Sequence, residues 1–137
     1  MAGSAGDYLE NKILEHIVGK TSFDMPTAYI ALCTADPGEA NSGAGISEVA
    51  NSNGYARKAT SGSDWGEASG GAISNAAAIV FPQATDSWGT ITHYAIMTSP
   101  VWGEGYMLVW GDVTTPKTID SGDTVQFAIG DLDLSCA

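Results

Sequence analysis

A chain of 137 residues with 16 acidic against 5 basic side chains, a formal charge of −11, fits one domain and repels phosphate backbones and anionic membrane surfaces. Only 15% of residues are charged while 44% are hydrophobic and 17 are glycine, a balance that favours short strands and tight turns over long solvated helices. No apolar run approaches the ~20 residues that span a bilayer, and no basic-then-apolar leader opens the chain, so the expectation is a protein made in the cytosol with neither nucleic acid nor membrane as partner.

The first element in chain order is an amphipathic helix over about 7–18. Tyr8, Leu9, Ile13, Leu14, Ile17 and Val18 recur at helical spacing, Asp7 and Glu10 sit where free amide groups want acceptors, and Gly19 offers a left-handed stop. Its apolar face of Leu9, Ile13, Leu14 and Ile17 can pack on the protein's own sheet or dock on a neighbour. From Thr27 onward the pattern becomes strand-like, with segments at 28–34, 55–60, 73–81, 90–97, 106–113 and 124–134. Asp36-Pro37-Gly38, Asn53-Gly54, Gly70-Gly71, Trp88-Gly89, Gly103-Glu104-Gly105, Thr115-Pro116 and Ser121-Gly122-Asp123 separate them with turn chemistry. Alternation in 90–96 and 124–129 puts one face in water, whereas 76–81 and 106–110 are nearly continuous apolar runs suited to strands covered on both sides. Short strands at this spacing predict a mainly β single domain over 1–137, built as an antiparallel sandwich, jelly roll or barrel behind one N-terminal helix. The Gly-, Ala- and Ser-rich stretch at 35–47 holds little to anchor it and reads as a mobile surface loop or an arm that orders on a neighbour.

Residues that could carry chemistry do not converge. His16 and His93 are the only candidate bases, no nucleophile elbow occurs, and His93 in an alternating strand reads as a structural or rim histidine. Glu67, Glu104 and Asp112 could be paired on paper, as carboxylates in any acidic chain can. Asp120 with Asp123, and Asp131 with Asp133, space oxygens closely enough for calcium, yet neither has an EF-hand series and both suit ordinary turns and strand edges. Cys33 and Cys136 read as free thiols. The expectation is therefore no enzyme, no cofactor and no metal. The aromatic residues carry more promise: Trp65, Trp88 and Trp102 lie beside glycines in turns, and such side chains either plug a sandwich or anchor interfaces and stack on sugars.

Six motifs in order carry a family resemblance: YLENKIL at 8–14, YIALCTADP at 29–37, GYAR at 54–57, ISN at 73–75 leading to Phe81-Pro82, WGTITH at 88–93, and TPKTIDSGDT at 115–124. Together they resemble a family of small tailed-bacteriophage virion proteins, many labelled tail fibre protein and some acting as capsid cementing (decoration) proteins. The resemblance implies a jelly-roll-like β-sandwich, no enzymatic activity and repeated copies on the particle. The 97–105 tip departs from the family's more polar turn, which leaves Trp102 free to make a contact of this protein's own. The expectation is a cementing protein on the capsid exterior, a homodimer or else a trimer, bridging copies of the major capsid protein. The rival is a tail or fibre component that binds the host surface. Leu9, Ile13, Leu14, Ile17, Trp65 and Trp102 are the candidate contacts.

Overall fold

The alternating residues of Gly89–Met97 and the long run Met107–Ile119 pair as an antiparallel hairpin, and the rest of the fold is arranged on it. In the computed structural model, which describes residues 4–39 and 42–135, they form the middle of a five-stranded antiparallel sheet. Its order is β1 (Ser4–Ala5), β7 (Met107–Ile119), β6 (Gly89–Met97), β2 (Tyr29–Cys33) and β3 (Lys58–Ala59). Two short antiparallel ladders, β4 (Ala72–Ser74) with β9 (Asp133–Ser135) and β5 (Ile79–Val80) with β8 (Gln126–Phe127), lie against one face. The expected architecture, mainly β and sandwich-like with one helix at the N-terminal end, is what the chain adopts.

The main core lies between these layers. Ile30 and Leu32 of β2 meet Tyr94 and Ile96 of β6, with Ile79, Phe81, Phe127 and Leu132 opposite. Ile91 and Tyr94 are three residues apart yet both enter this core, because the ladder shifts register between Ile91 and His93. On the other face of the sheet Ala31, Cys33, Ala95, Met97 and Met107 form a second cluster, capped by Ile46. The 35–47 segment is thus better anchored than its composition suggests. Ile46 is fully buried, the Gly38 amide donates to Asp36 Oδ1 at 2.8 Å, and the Gly43 amide donates to the Gly105 carbonyl at 2.9 Å.

The helix α1 (Asp7–Ile17) agrees with the sequence expectation to within a residue. Its cap differs: Gly6 is the N-cap and no side chain caps the first turn, so Asp7 and Glu10 act there only as charges facing the helix dipole. Three strands expected as continuous are interrupted. The 73–81 run breaks into β4 and β5 and the 124–134 run into β8 and β9, and one side chain serves both breaks. Buried Asn75 donates from Nδ2 to the carbonyls of Ala77 and Ala128 and accepts from the Leu132 amide, replacing ladder bonds with side-chain bonds. The 55–60 run is strand only at Lys58–Ala59.

Thr115-Pro116, expected as a turn, lies inside β7. There the single residue Thr92 of β6 faces four of β7, Val113 to Pro116, so proline occupies a bulge where it deprives the ladder of no hydrogen bond. Asn53 and Gly54 both take positive φ, and a Cβ on Gly54 would lie 2.8 Å from the Gln83 carbonyl, so this turn requires glycine. At the ends of the described chain, β1 lies against β9.

Candidate binding surfaces

The helix presents two different sides. Leu9 is buried in the main core and Ile13 packs against it, so Leu9 is withdrawn from any docking face. Leu14, Ile17 and Val18 point away, 62%, 70% and 76% exposed, and Met25 in the following segment is exposed as well. Leaving such side chains in water forgoes roughly 1.5–3 kcal/mol each relative to burial, so an apolar cluster here is the kind of surface a neighbouring subunit covers.

The 98–106 tip joining β6 to β7 is held by a buried ion pair. Arg57 donates from Nε and Nη2 to the two Glu48 carboxylate oxygens at 2.9 and 2.8 Å, both side chains being almost fully buried. Its Nη1 reaches across to the carbonyls of Ser99 and Glu104 at 2.8 and 2.9 Å, tying both arms of the tip to the 48–57 segment. The Tyr55 hydroxyl completes the network, donating to Glu48 and accepting from the Leu32 amide. Burial first, and then the negative charge of Glu48, push the Tyr55 phenol well above its ordinary value, so it stays a neutral donor.

Trp102 crowns this tip. Its indole N–H donates to the Val49 carbonyl at 2.7 Å while the side chain remains 41% exposed. At the end of the tip Tyr106 stacks on Tyr8 of the helix with ring centroids 4.2 Å apart and planes 3° from parallel, Phe23 meets the Tyr8 ring edge-on, and Lys12 Nζ lies 5.6 Å from its centroid. The tip and the helix are therefore one supported unit, a contact that no local pattern in the sequence announces. Trp65 is elsewhere: its indole donates to Thr60 Oγ1, and it borders a shallow hollow of about 310 Å³ with Met25, Pro26 and Thr60. Trp88 is buried and edge-on to Tyr55, plugging the fold as one of the two sequence readings held. Trp110 packs on the second cluster, and its indole N–H meets no partner among the described residues.

Three of the four carboxylates weighed for calcium are hydrogen-bonded within the fold. Asp123 accepts from the Asp120 amide, Asp131 from the Ala128 amide and Asp133 from the Ser74 hydroxyl. Among the described residues no group of three or more His, Cys, Asp and Glu side chains is placed to hold an ion. His16 accepts from the Phe23 amide through Nδ1, and His93 shares a 2.8 Å hydrogen bond with Thr92. Glu67, Glu104 and Asp112 are exposed on separate segments. Cys33 is a free, buried thiol pushed up to about 12 by burial and by Glu48, against the opposing pull of Arg57; Cys136 lies outside the described residues. No helix among the described residues is long and apolar enough to cross a membrane.

Comparison with known proteins supplies the biological setting. A family model described as "Podophage GP4 fiber I protein gp80" matches residues 4–135, which spans the helix, both core clusters and the tip. No curated protein matches the chain.

Proposed function

Because the chain belongs to the family of the podophage GP4 fiber I protein gp80, we propose that it is a non-catalytic fibre subunit of the virion that works by packing against its neighbours. The match over 4–135 carries this reading, since it takes in the whole folded unit rather than one borrowed motif. What the geometry adds is surface. Leu14 and Ile17 on the helix and Val18 at its C-cap, with Ile13 packed on the core, form an apolar patch suited to a second copy of the chain or another fibre subunit. Self-association through such a patch gives a dimer where it is self-complementary, or a trimer where it meets a different face. A stable contact of this kind buries about 1,600 Å² in total, and a subunit touching several neighbours gains avidity as later contacts become intramolecular. Trp102 and Trp65 are the aromatic candidates for an outward contact with a host surface.

Capsid cementing, in which the same patch would meet the major capsid protein on the head exterior, differs from this reading in copy number. Quantitative mass spectrometry of purified particles separates the two. A few dozen copies per particle is the expected result for a fibre, several hundred would move the protein to the shell, and absence from the particle would sink both.

A further inference from the structure

The turn at Asn53-Gly54 fastens the 85–88 segment to the rest of the fold. The Asn53 carbonyl accepts both the Trp88 indole N–H at 2.8 Å and the Thr85 amide at 3.0 Å, and its Nδ2 donates to the Ser87 carbonyl at 3.1 Å. Trp88 is buried and meets Tyr55 edge-on, and Tyr55 belongs to the Glu48–Arg57 clamp. Yet the residue that makes these bonds is exposed and precedes a glycine, in the only Asn-Gly pair of the chain. Both residues sit at positive φ and the Tyr55 amide closes the turn on the Ser52 carbonyl at 3.1 Å, while the Gly54 amide donates to no acceptor among the described residues. A free backbone nitrogen with no side chain beside it is the internal nucleophile to which an asparagine amide is most open.

We propose that Asn53 is a site of spontaneous covalent modification, gated by the opening of its own turn, whose product unfastens Trp88. The Gly54 nitrogen attacks Asn53 Cγ, the Cγ–Nδ2 bond breaks, and the Gly54 proton passes through water to the departing ammonia, leaving a cyclic succinimide. Water then opens the ring at either carbonyl and gives an aspartate or an isoaspartate. Attack requires Cγ to swing over the Gly54 nitrogen, which the bond from Nδ2 to Ser87 opposes, so the reaction runs from molecules whose turn has opened. Either product replaces an amide donor with a carboxylate, which repels the Ser87 carbonyl instead of bonding to it. The isoaspartate also routes the main chain through Cβ and Cγ, so the carbonyl that Trp88 and Thr85 share leaves the backbone. Folded chains thereby age, with a growing fraction in which Trp88 is loosened.

Ageing the purified full chain at mildly alkaline pH tests the inference, with peptide mass spectrometry and isoaspartyl methyltransferase labelling to locate the product. Conversion is expected at Asn53 ahead of the exposed Asn11 and Asn51, which precede Lys12 and Ser52, and at least about tenfold faster in urea than in the folded protein. Aged protein is expected to show a lower urea midpoint and faster exchange of the Thr85 amide. Asn53→Gly accepts the positive φ but cannot close the ring, and is expected to keep its starting midpoint through the same incubation. An unchanged Asn53 beside a converted Asn11 or Asn51, or equal rates in urea and in the folded state, would overturn the gated site. Converted protein with the midpoint and Thr85 exchange of fresh protein, or Asn53→Gly losing stability at the wild-type rate, would overturn the unfastening of Trp88.

Discussion

Three buried groups make this protein sensitive to alkali. Burial pushes the phenols of Tyr55 and Tyr94 above their ordinary value of 10.0, and raises the Cys33 thiol from 9.0 to about 12. In the unfolded chain these groups lose their protons near the ordinary values, while the folded chain retains them. The folded state therefore binds more protons at high pH, and stability falls as pH rises. The contribution is complete below about pH 9 and is lost through pH 9 to 12 and beyond. Urea midpoints measured across this range are expected to be level up to about pH 8.5 and to fall steeply past 10. Tyr94→Phe removes the hydroxyl that donates to the Asp133 carbonyl, costing about 1 kcal/mol at neutral pH. The same change takes one proton out of the alkaline slope; an unchanged slope would mean that Tyr94 is not among the groups responsible.

At the scale of elements, the Glu48–Arg57 pair is the charged, buried tie among those that hold the tip between β6 and β7. Glu48→Ala strands a buried guanidinium and is expected to cost about 3–5 kcal/mol, with faster amide exchange across 98–106 and a shift in Trp102 fluorescence. Adding Arg57→Met to that variant is expected to restore part of the stability without restoring the tip, because Ser99 and Glu104 still lose their shared donor. No loss of stability in the single variant would show the pair to be incidental. This clamp also marks where the sequence stops being informative. The helix and strands β2 and β6 were legible because apolar periodicity is a local property, and the Asn53-Gly54 turn because Asn-Gly carries its own turn chemistry, which the positive φ of both residues bears out. The breaks at 75–78 and 128–132 were hidden, since they depend on Asn75 reaching residues more than fifty positions away. Ile46 looked like one apolar residue in a loose loop because the pocket that receives it is assembled from β2, β6 and β7. Of the candidate contacts, the sequence placed Leu9 and Leu14 on one apolar face. With apolar residues on more than half the helix surface, periodicity could not say which of them the sheet would claim.

For the molecule as a whole, nearly every strand pairing joins distant parts of the chain: β1 with β7, β2 with β6, β4 with β9. What holds the fold is a set of long-range encounters rather than the sequence of visits, and the contact between β1 and β9 sets the two described extremities side by side. That proximity makes the polypeptide a natural subject for rewiring. A gene that joins the original ends through a short Gly-Ser bridge and opens the chain between Gly70 and Gly71, in an exposed turn, is expected to yield a circular permutant with native circular dichroism and a similar melting temperature. Such a permutant would carry any fused passenger at the 70–71 turn, leaving the helix patch and the Trp102 tip unencumbered on a particle.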